Sequence, residues 1–391
     1  MARAYLDWNA TAPLRPQARA AMARAGDIVG NPSSVHAEGR AARALIEHAR
    51  EQVAVLIGAD PRRVIFTSGG TEANTLALSP QIERDGDRRV IERLLVSAIE
   101  HPSVRCGGRF PPGRVEEVPA TPRGTVDVGA LERRLSELTG AGIRTLVSVM
   151  LANNESGVIQ PIGAIAQTVH AAGGLLHVDA VQGPGRIPCA IDELGADLLS
   201  ISGHKLGGPK GVGALVLREE ALHVPDPLVR GGGQERGMRA GTENVAGIAG
   251  FGAAAAAARE APLEAHGRMI FLQDRLEAGL KEGSPDAVIF GAEAERLPNT
   301  TLFAVPGVKA DTAVIALDLA GVAVSSGAAC SSGKVQPSQV LAAMGFGPAL
   351  ARGAIRVSLG YSTTESEVDQ FIHAWKKVFP TLHKGSEGIA A

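Results

Sequence analysis

The chain has few aromatic residues, no excess of charge of either sign and no long apolar run. Aromatic residues make up 3% of its 391 residues, and 39 basic against 41 acidic residues leave a net charge of −2. A balanced charge gives no electrostatic reason to expect nucleic acid or an anionic membrane as a partner. The most apolar segment, residues 251–258, is short and alanine-rich, which is typical of a packed helix. We therefore expect no direct contact with nucleic acid or with a membrane.

Cysteine is also scarce. The sequence has three cysteines, Cys106, Cys189 and Cys330, and they are widely spaced. An odd number at such spacing predicts neither a disulfide framework nor a CxxC metal site, so we expect no bound metal. The first residues contain no apolar segment of the kind found in signal peptides. A reducing, cytoplasmic environment is the simplest expectation.

The apolar pattern predicts the fold class. From about residue 38 to 220, helix-like segments alternate with short apolar runs, among them LLVSAIE, TLVSVML, LLHVD and DLLSIS. Nearly continuous apolar strands between helices indicate a mostly parallel sheet that is covered on both faces. After about residue 255 the pattern changes to long helices and a few strand-like runs. We predict an α/β protein with a large domain at residues 15–255 and a smaller α+β domain formed by residues 1–14 and 256–391.

Two predicted strands end in residues of complementary chemistry. Asp179 closes the run LLHVDAVQ, and Lys205 follows the next strand in the run SISGHKLGG. An amine that forms a Schiff base and a carboxylate that pairs with a pyridinium nitrogen are what pyridoxal 5'-phosphate (PLP) requires. Gln182, just after the first strand, can donate to a cofactor hydroxyl. The alternatives are a solvated loop lysine and an aspartate that caps a helix.

A glycine turn predicts where a phosphate would bind. The run TSGGTEAN at residues 67–74 leads from a strand into a helix and contains Gly70 and Thr71. Unpaired N–H groups at a helix N-terminus bind anions, and a threonine hydroxyl adds a donor. Ser202 and His204 can complete the site from the opposite side. A plain strand–turn–helix connection is the alternative, and the pattern is not a Walker loop.

Three further residues complete the candidate pocket. His101 follows a strand-like run, where an imidazole can stack on a cofactor ring and move protons near neutral pH. Arg356, in the run AIRVSLG, can bind a substrate carboxylate with two parallel hydrogen bonds, and Asn154 can assist from the large domain. The alternatives are a structural histidine and a surface arginine paired with a carboxylate.

Cys330 has an unusual sequence environment. It lies in VAVSSGAACSSGKVQPS, among serine, glycine and alanine, whereas a structural cysteine is normally surrounded by large apolar residues. A small, polar and mobile loop predicts an accessible thiol, and an incidental surface thiol is the alternative. The glycine-rich run GGGQERGMRAGTEN at residues 231–244 predicts a loop that approaches a ligand or a neighbouring subunit.

Taken together, these runs resemble the cysteine desulfurases of iron–sulfur cluster assembly and nitrogen fixation, within the class V aminotransferase group of fold-type I PLP enzymes. The resemblance extends almost from end to end, and its motifs are YLDWNATAPL, GNPSSVH, TSGGTEAN, EHPSV, NNESGVIQPI, HVDAVQ, SGHKLGGPKG, GGGQERGMRAGTEN, SSGAACSS and IRVSLG. SSGAACSS is the most discriminating motif, because related aminotransferases lack a cysteine there. The sequence departs from the family pattern at two places. Ala328 stands where serine is frequent, and LGG follows the lysine where a bulky aromatic residue is common. Neither departure removes a catalytic group.

The resemblance implies a role for each candidate. Lys205 would carry PLP, Asp179 would pair with its ring nitrogen, Gln182 with its hydroxyl, and His101 would stack on the ring. Its phosphate would be bound by residues of the glycine turn and of the lysine loop, with Thr242 from the partner subunit of a homodimer. Asn154 and Arg356 would bind the carboxylate of L-cysteine. Cys330 would take the sulfur as a persulfide and pass it to a protein acceptor such as an iron–sulfur scaffold.

Two other functions remain open at this point. Selenocysteine lyase or another β-elimination activity would use the same scaffold without the thiol of Cys330. A non-catalytic subunit that keeps the fold to bind partners would be expected to lack Lys205 or Cys330, and the sequence has both.

Overall fold

The computed structural model describes residues 3–88, 90–260, 263–327 and 338–387. Cys330 and its neighbours at 328–337 lie outside the described residues. In chain order the strands are β1 Ala4–Tyr5, β2 Val64–Thr67, β3 Glu83–Arg84, β4 Arg93–Ser97, β5 Val115–Val118, β6 Thr145–Met150, β7 Leu175–Asp179, β8 Leu198–Ser202, β9 Gly213–Leu217, β10 Leu222–His223, β11 Val288–Ile289, β12 Thr300–Ala304, β13 Val322–Ala323, β14 Ser325–Ser326 and β15 Ile355–Ser358. The helices are α1 Pro16–Gly26, α2 Ala37–Leu56, α3 Gly70–Ala77, α4 Pro102–Arg105, α5 Val128–Gly140, α6 Ile162–Ala171, α7 Ile191–Leu194, α8 Val245–Arg259, α9 Leu263–Gly283, α10 Ala310–Leu319, α11 Gln339–Ala343, α12 Pro348–Arg352 and α13 Glu365–Glu387.

A seven-stranded sheet forms the centre of the larger part of the molecule. Its strand order is β2-β9-β8-β7-β6-β4-β5, and every neighbouring pair is parallel except the two that involve β9. All six residues of β6 are buried, because side chains on both faces of the strand are covered. The predicted mostly parallel sheet with flanking helices is confirmed.

Helices cover this sheet on both faces. On one face, Val147 and Val149 of β6 pack in a core with residues of α2, α5, α6 and α8. On the other face, Leu146 of the same strand packs in a separate core with residues of α3. This alternation follows from the two-residue period of a strand.

A second, four-stranded antiparallel sheet has the order β11-β12-β15-β14. Phe303 of β12 packs edge-on against Trp375 of α13, with ring centroids 5.1 Å apart. The N-terminal strand β1 pairs with β13, and Ala4 and Leu6 are buried in the core that contains this aromatic pair. This pairing supports the proposal that residues 1–14 belong with the second domain; the domain boundaries themselves stay a prediction.

A buried ion pair holds the glycine-rich loop against the large sheet. Arg50 of α2 donates to both carboxylate oxygens of Glu235, at 2.7 and 2.9 Å. Glu235 also accepts from the N–H of Phe66 in β2. Glu235 and Arg236 have positive φ angles of 45° and 57°, a strained conformation for residues with side chains. The ion pair therefore stabilises the strained segment that leads to Thr242.

We predict that Arg50→Ala lowers the free energy of unfolding by about 3–5 kcal/mol, because it leaves the carboxylate of Glu235 buried without its partner. Equilibrium unfolding in urea measures the change. Arg275→Ala is the matched control, since Arg275 makes a similar two-point pair with Asp369 at the surface, and its effect should be much smaller. Equal losses in the two variants would contradict this role of the buried pair.

Candidate functional site

One cavity at the edge of the large sheet gathers most of the predicted site residues. Its volume is about 530 Å³. Its lining includes ten of the predicted residues, namely Gly70, Thr71, His101, Asn154, Asp179, Gln182, Ser202, His204, Lys205 and Arg356. Thr242 is exposed and does not line the cavity, and Cys330 lies outside the described residues.

The parallel strands explain why residues so distant in sequence meet. Asp179 is the last residue of β7 and Ser202 is the last residue of β8, while His101 and Asn154 follow β4 and β6. Because the carboxyl ends of parallel strands meet at one edge of a sheet, the loops after them surround a common cavity. Lys205 ends a single 3-10 turn that follows β8 directly.

The amine of Lys205 is surrounded by carbonyl groups and cations. Its Nζ donates to the backbone oxygens of Asn9 and Ala10, at 2.5 and 2.9 Å. Burial, with a further contribution from the charges of Arg356 and Arg186, lowers the pKa of Lys205 to about 7. A large fraction of the amine is therefore neutral near pH 7, the form that can attack a carbonyl carbon or accept a proton.

Asp179 is fixed by two hydrogen bonds. Its Oδ1 accepts from the N–H of Val181 at 3.0 Å, and its Oδ2 accepts from Nδ2 of Asn74 at 2.8 Å. The first bond closes a turn and does not cap a helix, since the next helix, α7, begins twelve residues later. The alternative interpretation of Asp179 as a helix cap is wrong, and the carboxylate is held at the cavity wall.

The start of α3 leaves room and donors for an anion. Gly69 precedes the helix and has no side chain to cap it, so the first-turn N–H groups are not satisfied by a cap. A Cβ atom at Gly70 would lie 2.8 Å from Cγ2 of Val181, so a larger residue would force the turn away from β7. The hydroxyl-bearing residues Thr71 and Ser202 line the same end of the cavity.

His204 contributes a neutral ring at this end. Burial, together with the charges of Lys205 and Lys210, lowers the pKa of His204 to about 4. Its Nδ1 lies 3.1 Å from the hydroxyl oxygen of Thr11. At neutral pH the ring is therefore neutral, and in this form it can donate a hydrogen bond to a bound anion.

Arg356 lies at the other end of the cavity. Its Nη2 pairs with Oδ1 of Asp7 at 2.8 Å, and its Nη1 donates to the backbone oxygen of Asn154 at 2.9 Å. Its Nε is buried and has no hydrogen-bond partner among the described residues. The expected alternative of a surface arginine is wrong because the side chain is 5% exposed, although it does pair with a carboxylate. The unpaired Nε leaves part of the hydrogen-bonding capacity of this guanidinium unused.

The chain is similar to known proteins over nearly its whole length. The family profile described as Aminotransferase class-V matches residues 4–371. A protein named cysteine desulfurase from Cereibacter sphaeroides is 43% identical to this chain and covers 98% of it, over 97% of its own length. The chain belongs to the cysteine desulfurases of the class-V aminotransferase family.

Other relatives are similar to this chain in sequence and in structure. An IscS-like cysteine desulfurase from Mycobacterium tuberculosis is 40% identical, and the match covers 94% of this chain and 93% of that protein. The X-ray structure of a NifS-like protein from Rickettsia africae superimposes with a TM-score of 0.86 at 36% identity, covering 97% of this chain and 99% of the other. The resemblance and the fold expected from the sequence are confirmed.

Sequence reasoning missed two polar residues that connect Asp179 to His101 in this desulfurase. Nδ2 of Asn74 lies 2.8 Å from Asp179 and 2.9 Å from the hydroxyl of Ser103. That hydroxyl lies 2.8 Å from Nδ1 of His101, which also accepts from the Ser103 N–H at 3.1 Å. Asn74 lies within the quoted TSGGTEAN motif and Ser103 within EHPSV, so these motifs contained the only available signal.

The N-terminal segment was also missed as a part of the site. The backbone oxygen of Asn9 accepts from Lys205 and from Nε2 of Gln182, at 2.5 and 3.1 Å. Arg186 donates to Oε1 of the same glutamine. Both ends of the Gln182 amide thus have protein partners. The quoted motif YLDWNATAPL contains Asn9, but nothing in its pattern indicates contact with residues almost 200 positions away.

The two described cysteines differ in environment. Burial raises the pKa of the Cys189 thiol to about 12, so this residue is unreactive at neutral pH. Cys106 is exposed and forms no disulfide. Within the described ranges, no helix is long and apolar enough to cross a membrane, and no group of three or more acidic, histidine or cysteine side chains is arranged to hold a metal.

We predict that Arg356→Gln raises the pKa of Lys205 above about 7, because it removes the charge that, after burial, contributes most to lowering this pKa. The pH dependence of acylation of the Lys205 amine in cofactor-free protein, followed by mass spectrometry, measures the shift. Labelling should then begin at higher pH in the variant. The exposed Lys210 provides an internal control that should label alike in both proteins. An unchanged or lower midpoint for Lys205 would contradict the electrostatic contribution of Arg356.

Proposed function

We propose that this chain is a PLP-dependent cysteine desulfurase that converts L-cysteine to L-alanine and leaves the sulfur on Cys330 as a persulfide. The observation that carries the proposal is one cavity that combines four features. It contains the depressed-pKa amine of Lys205, the fixed carboxylate of Asp179, the uncapped start of α3 and the buried guanidinium of Arg356.

The residues around the cavity fit the cofactor. Lys205 would hold its aldehyde carbon, and Asp179 would pair with its ring nitrogen. Gln182 would contact its hydroxyl and His101 would stack on its ring. The phosphate would be bound by the N–H groups and side chains at the start of α3 and by the loop after β8, namely Gly70, Thr71, Ser202 and His204. Thr242, exposed in the single chain, would reach the phosphate from the partner subunit of a homodimer.

The protein's own groups account for substrate binding and proton transfer. When bound, PLP supplies an electron sink next to the Cα atom of the substrate. The guanidinium of Arg356, with Asn154 beside it, would bind the carboxylate of L-cysteine. Once released from the cofactor, Lys205 is suited to take the Cα proton, because its pKa of about 7 leaves much of the amine neutral.

The overall reaction balances without a further reagent. The C–S bond of L-cysteine breaks, and an S–S bond forms between its sulfur and the sulfur of Cys330. The sulfur is oxidised to the persulfide level, and the former Cβ atom is reduced to a methyl group. Protons from the substrate and from the Cys330 thiol are redistributed between L-alanine and the persulfide, so none is lost or gained.

The fate of the sulfur belongs to the same proposal. A protein acceptor such as an iron–sulfur scaffold would remove it from Cys330, in the cytoplasm, and return the thiol for another turnover. A homodimer is the proposed state of the enzyme, because the resemblance assigns Thr242 to the phosphate site of a second copy and Thr242 does not line the cavity of its own chain.

We predict that Cys330→Ser lowers alanine formation from L-cysteine by at least about a hundredfold, because the sulfur loses its acceptor. Alanine is measured by chromatography, and the adduct by mass spectrometry of the peptide that contains residue 330. Cys106→Ser is the matched control and should retain activity, since Cys106 lies outside the cavity lining. Near-normal alanine formation by Cys330→Ser would favour β-elimination or selenocysteine lyase activity.

We also predict that Lys205→Ala loses the absorbance band that covalently held PLP gives to the wild-type protein, because the attaching amine is gone. A visible absorbance spectrum of each purified protein measures this. Lys376→Ala, at a surface ion pair on α13, is the control and should keep the band. A wild-type protein that gains no band when PLP is added would contradict the proposed cofactor and favour a non-catalytic subunit.

A further inference from the structure

A series of hydrogen bonds leads from Asp179 through Asn74 and Ser103 to His101. The donors and acceptors in this series can be assigned in only one consistent way. Both oxygens of Asp179 accept, and a carboxylate has no proton to give. Asn74 must therefore turn its Nδ2 toward Asp179. This orientation is energetically unfavourable for the other end of the amide, because Oδ1 of Asn74 is buried without a hydrogen-bond partner among the described residues.

The second hydrogen of the Asn74 amide determines the role of Ser103. It is directed to the hydroxyl oxygen of Ser103, 2.9 Å away, so this oxygen is already an acceptor. The hydroxyl proton is then available for Nδ1 of His101 at 2.8 Å. The backbone N–H of Ser103 donates to the same nitrogen at 3.1 Å. Two donors converge on Nδ1, which must carry the lone pair of the ring.

The ring proton of His101 therefore lies on Nε2. Burial lowers the pKa of His101; the nearby charge of Asp179 raises it and that of Lys205 lowers it further, with burial the largest contribution. The ring is therefore favoured in its neutral form at neutral pH. Nε2 has no hydrogen-bond partner in the part of the chain that the structure describes, while the ring lines the cavity.

We propose that Ser103, oriented by Asn74, is a positioning residue that fixes His101 as the Nε2–H tautomer, so that His101 acts as a neutral hydrogen-bond donor to the bound substrate or cofactor. The proposal rests on the proposed function and specifies the role of one residue in it. A neutral N–H donor stabilises negative charge that develops on a sulfur or oxygen atom in a site shielded from water. In this tautomer Nε2 cannot accept a proton. Of the proton transfers expected from the sequence, His101 would therefore not perform those that need a base at Nε2.

The tautomer can be measured directly. In protein labelled with ¹⁵N in its histidine rings, the signals of His101 are those missing from His101→Gln. We expect a protonated Nε2 in the wild type and a smaller excess of this tautomer in Ser103→Ala, where only the backbone N–H of residue 103 still donates to Nδ1. Ser103→Thr keeps the hydroxyl and should keep the wild-type pattern, as should Ser136→Ala, a control at an exposed serine of α5. A protonated Nδ1 in the wild type, or an unchanged pattern in Ser103→Ala, would overturn the proposal.

Kinetics provide a second, independent readout. Ser103→Ala should lower kcat about tenfold with little change in KM for L-cysteine, because one of the two donors to Nδ1 remains. In a His101→Ala background the same substitution should cause no further loss. An equal additional loss in that background would overturn the proposal, since Ser103 would then act without His101.

Two substitutions of His101 distinguish a role as hydrogen-bond donor from a role as general base. His101→Gln keeps an N–H donor but cannot accept a proton, so it should retain more activity than His101→Ala. Equal losses in the two variants would instead indicate an essential base. Wild-type protein that forms no alanine from L-cysteine would refute the proposed function, whereas the ring spectrum would still decide the tautomer.

Discussion

Lys205 and Arg356 line one cavity and Arg186 lies beside Lys205, and the mutual repulsion of these three cationic side chains shapes the rest of the site. Arg356 and Arg186 both lower the pKa of Lys205, and Arg356 also contributes to lowering the pKa of Arg186. Burial is the larger cause in each case, because a charge in a medium of low dielectric constant is poorly stabilised. A cavity of this kind is most stable when an anion enters it, and it favours a neutral lysine. A preference for anions and a lowered pKa of the amine thus have one physical origin.

The N-terminal segment holds these cations in place. Asp7 pairs with Arg356, and the backbone oxygen of Asn9 accepts from Lys205. The Asn9 side chain donates to Thr300 on the second sheet at 2.9 Å. A short stretch near the start of the chain therefore ties the lysine loop of one sheet to β12 and β15 of the other. The relative position of the two ends of the cavity depends on this stretch.

Much of the fold and the site could be predicted because their signals are local. The apolar runs that end in Asp179 and before Lys205 have the length and composition of buried strands, and the ends of parallel strands must meet. Asn74 and Ser103 gave no such signal, since on α3 and α4 they look like ordinary polar residues. The contact between Asn9 and Lys205 spans 196 positions and involves a backbone oxygen, which no side-chain pattern can indicate. Cys330 lies outside the described residues, so its assignment depends on its sequence environment and on the family.

The two bases of the site differ in where their lone pairs lie, and this difference separates their roles. A neutral Lys205 amine can give its two hydrogens to the carbonyls of Asn9 and Ala10 and still keep a free lone pair. The lone pair of His101 is already engaged by two donors from Ser103. Lys205 can therefore accept a proton without losing a hydrogen bond, whereas His101 would have to break its cap on α4 to do so at Nδ1. Burial lowers the pKa of both groups. The hydrogen bonds therefore favour Lys205 over His101 as the group that would accept a proton.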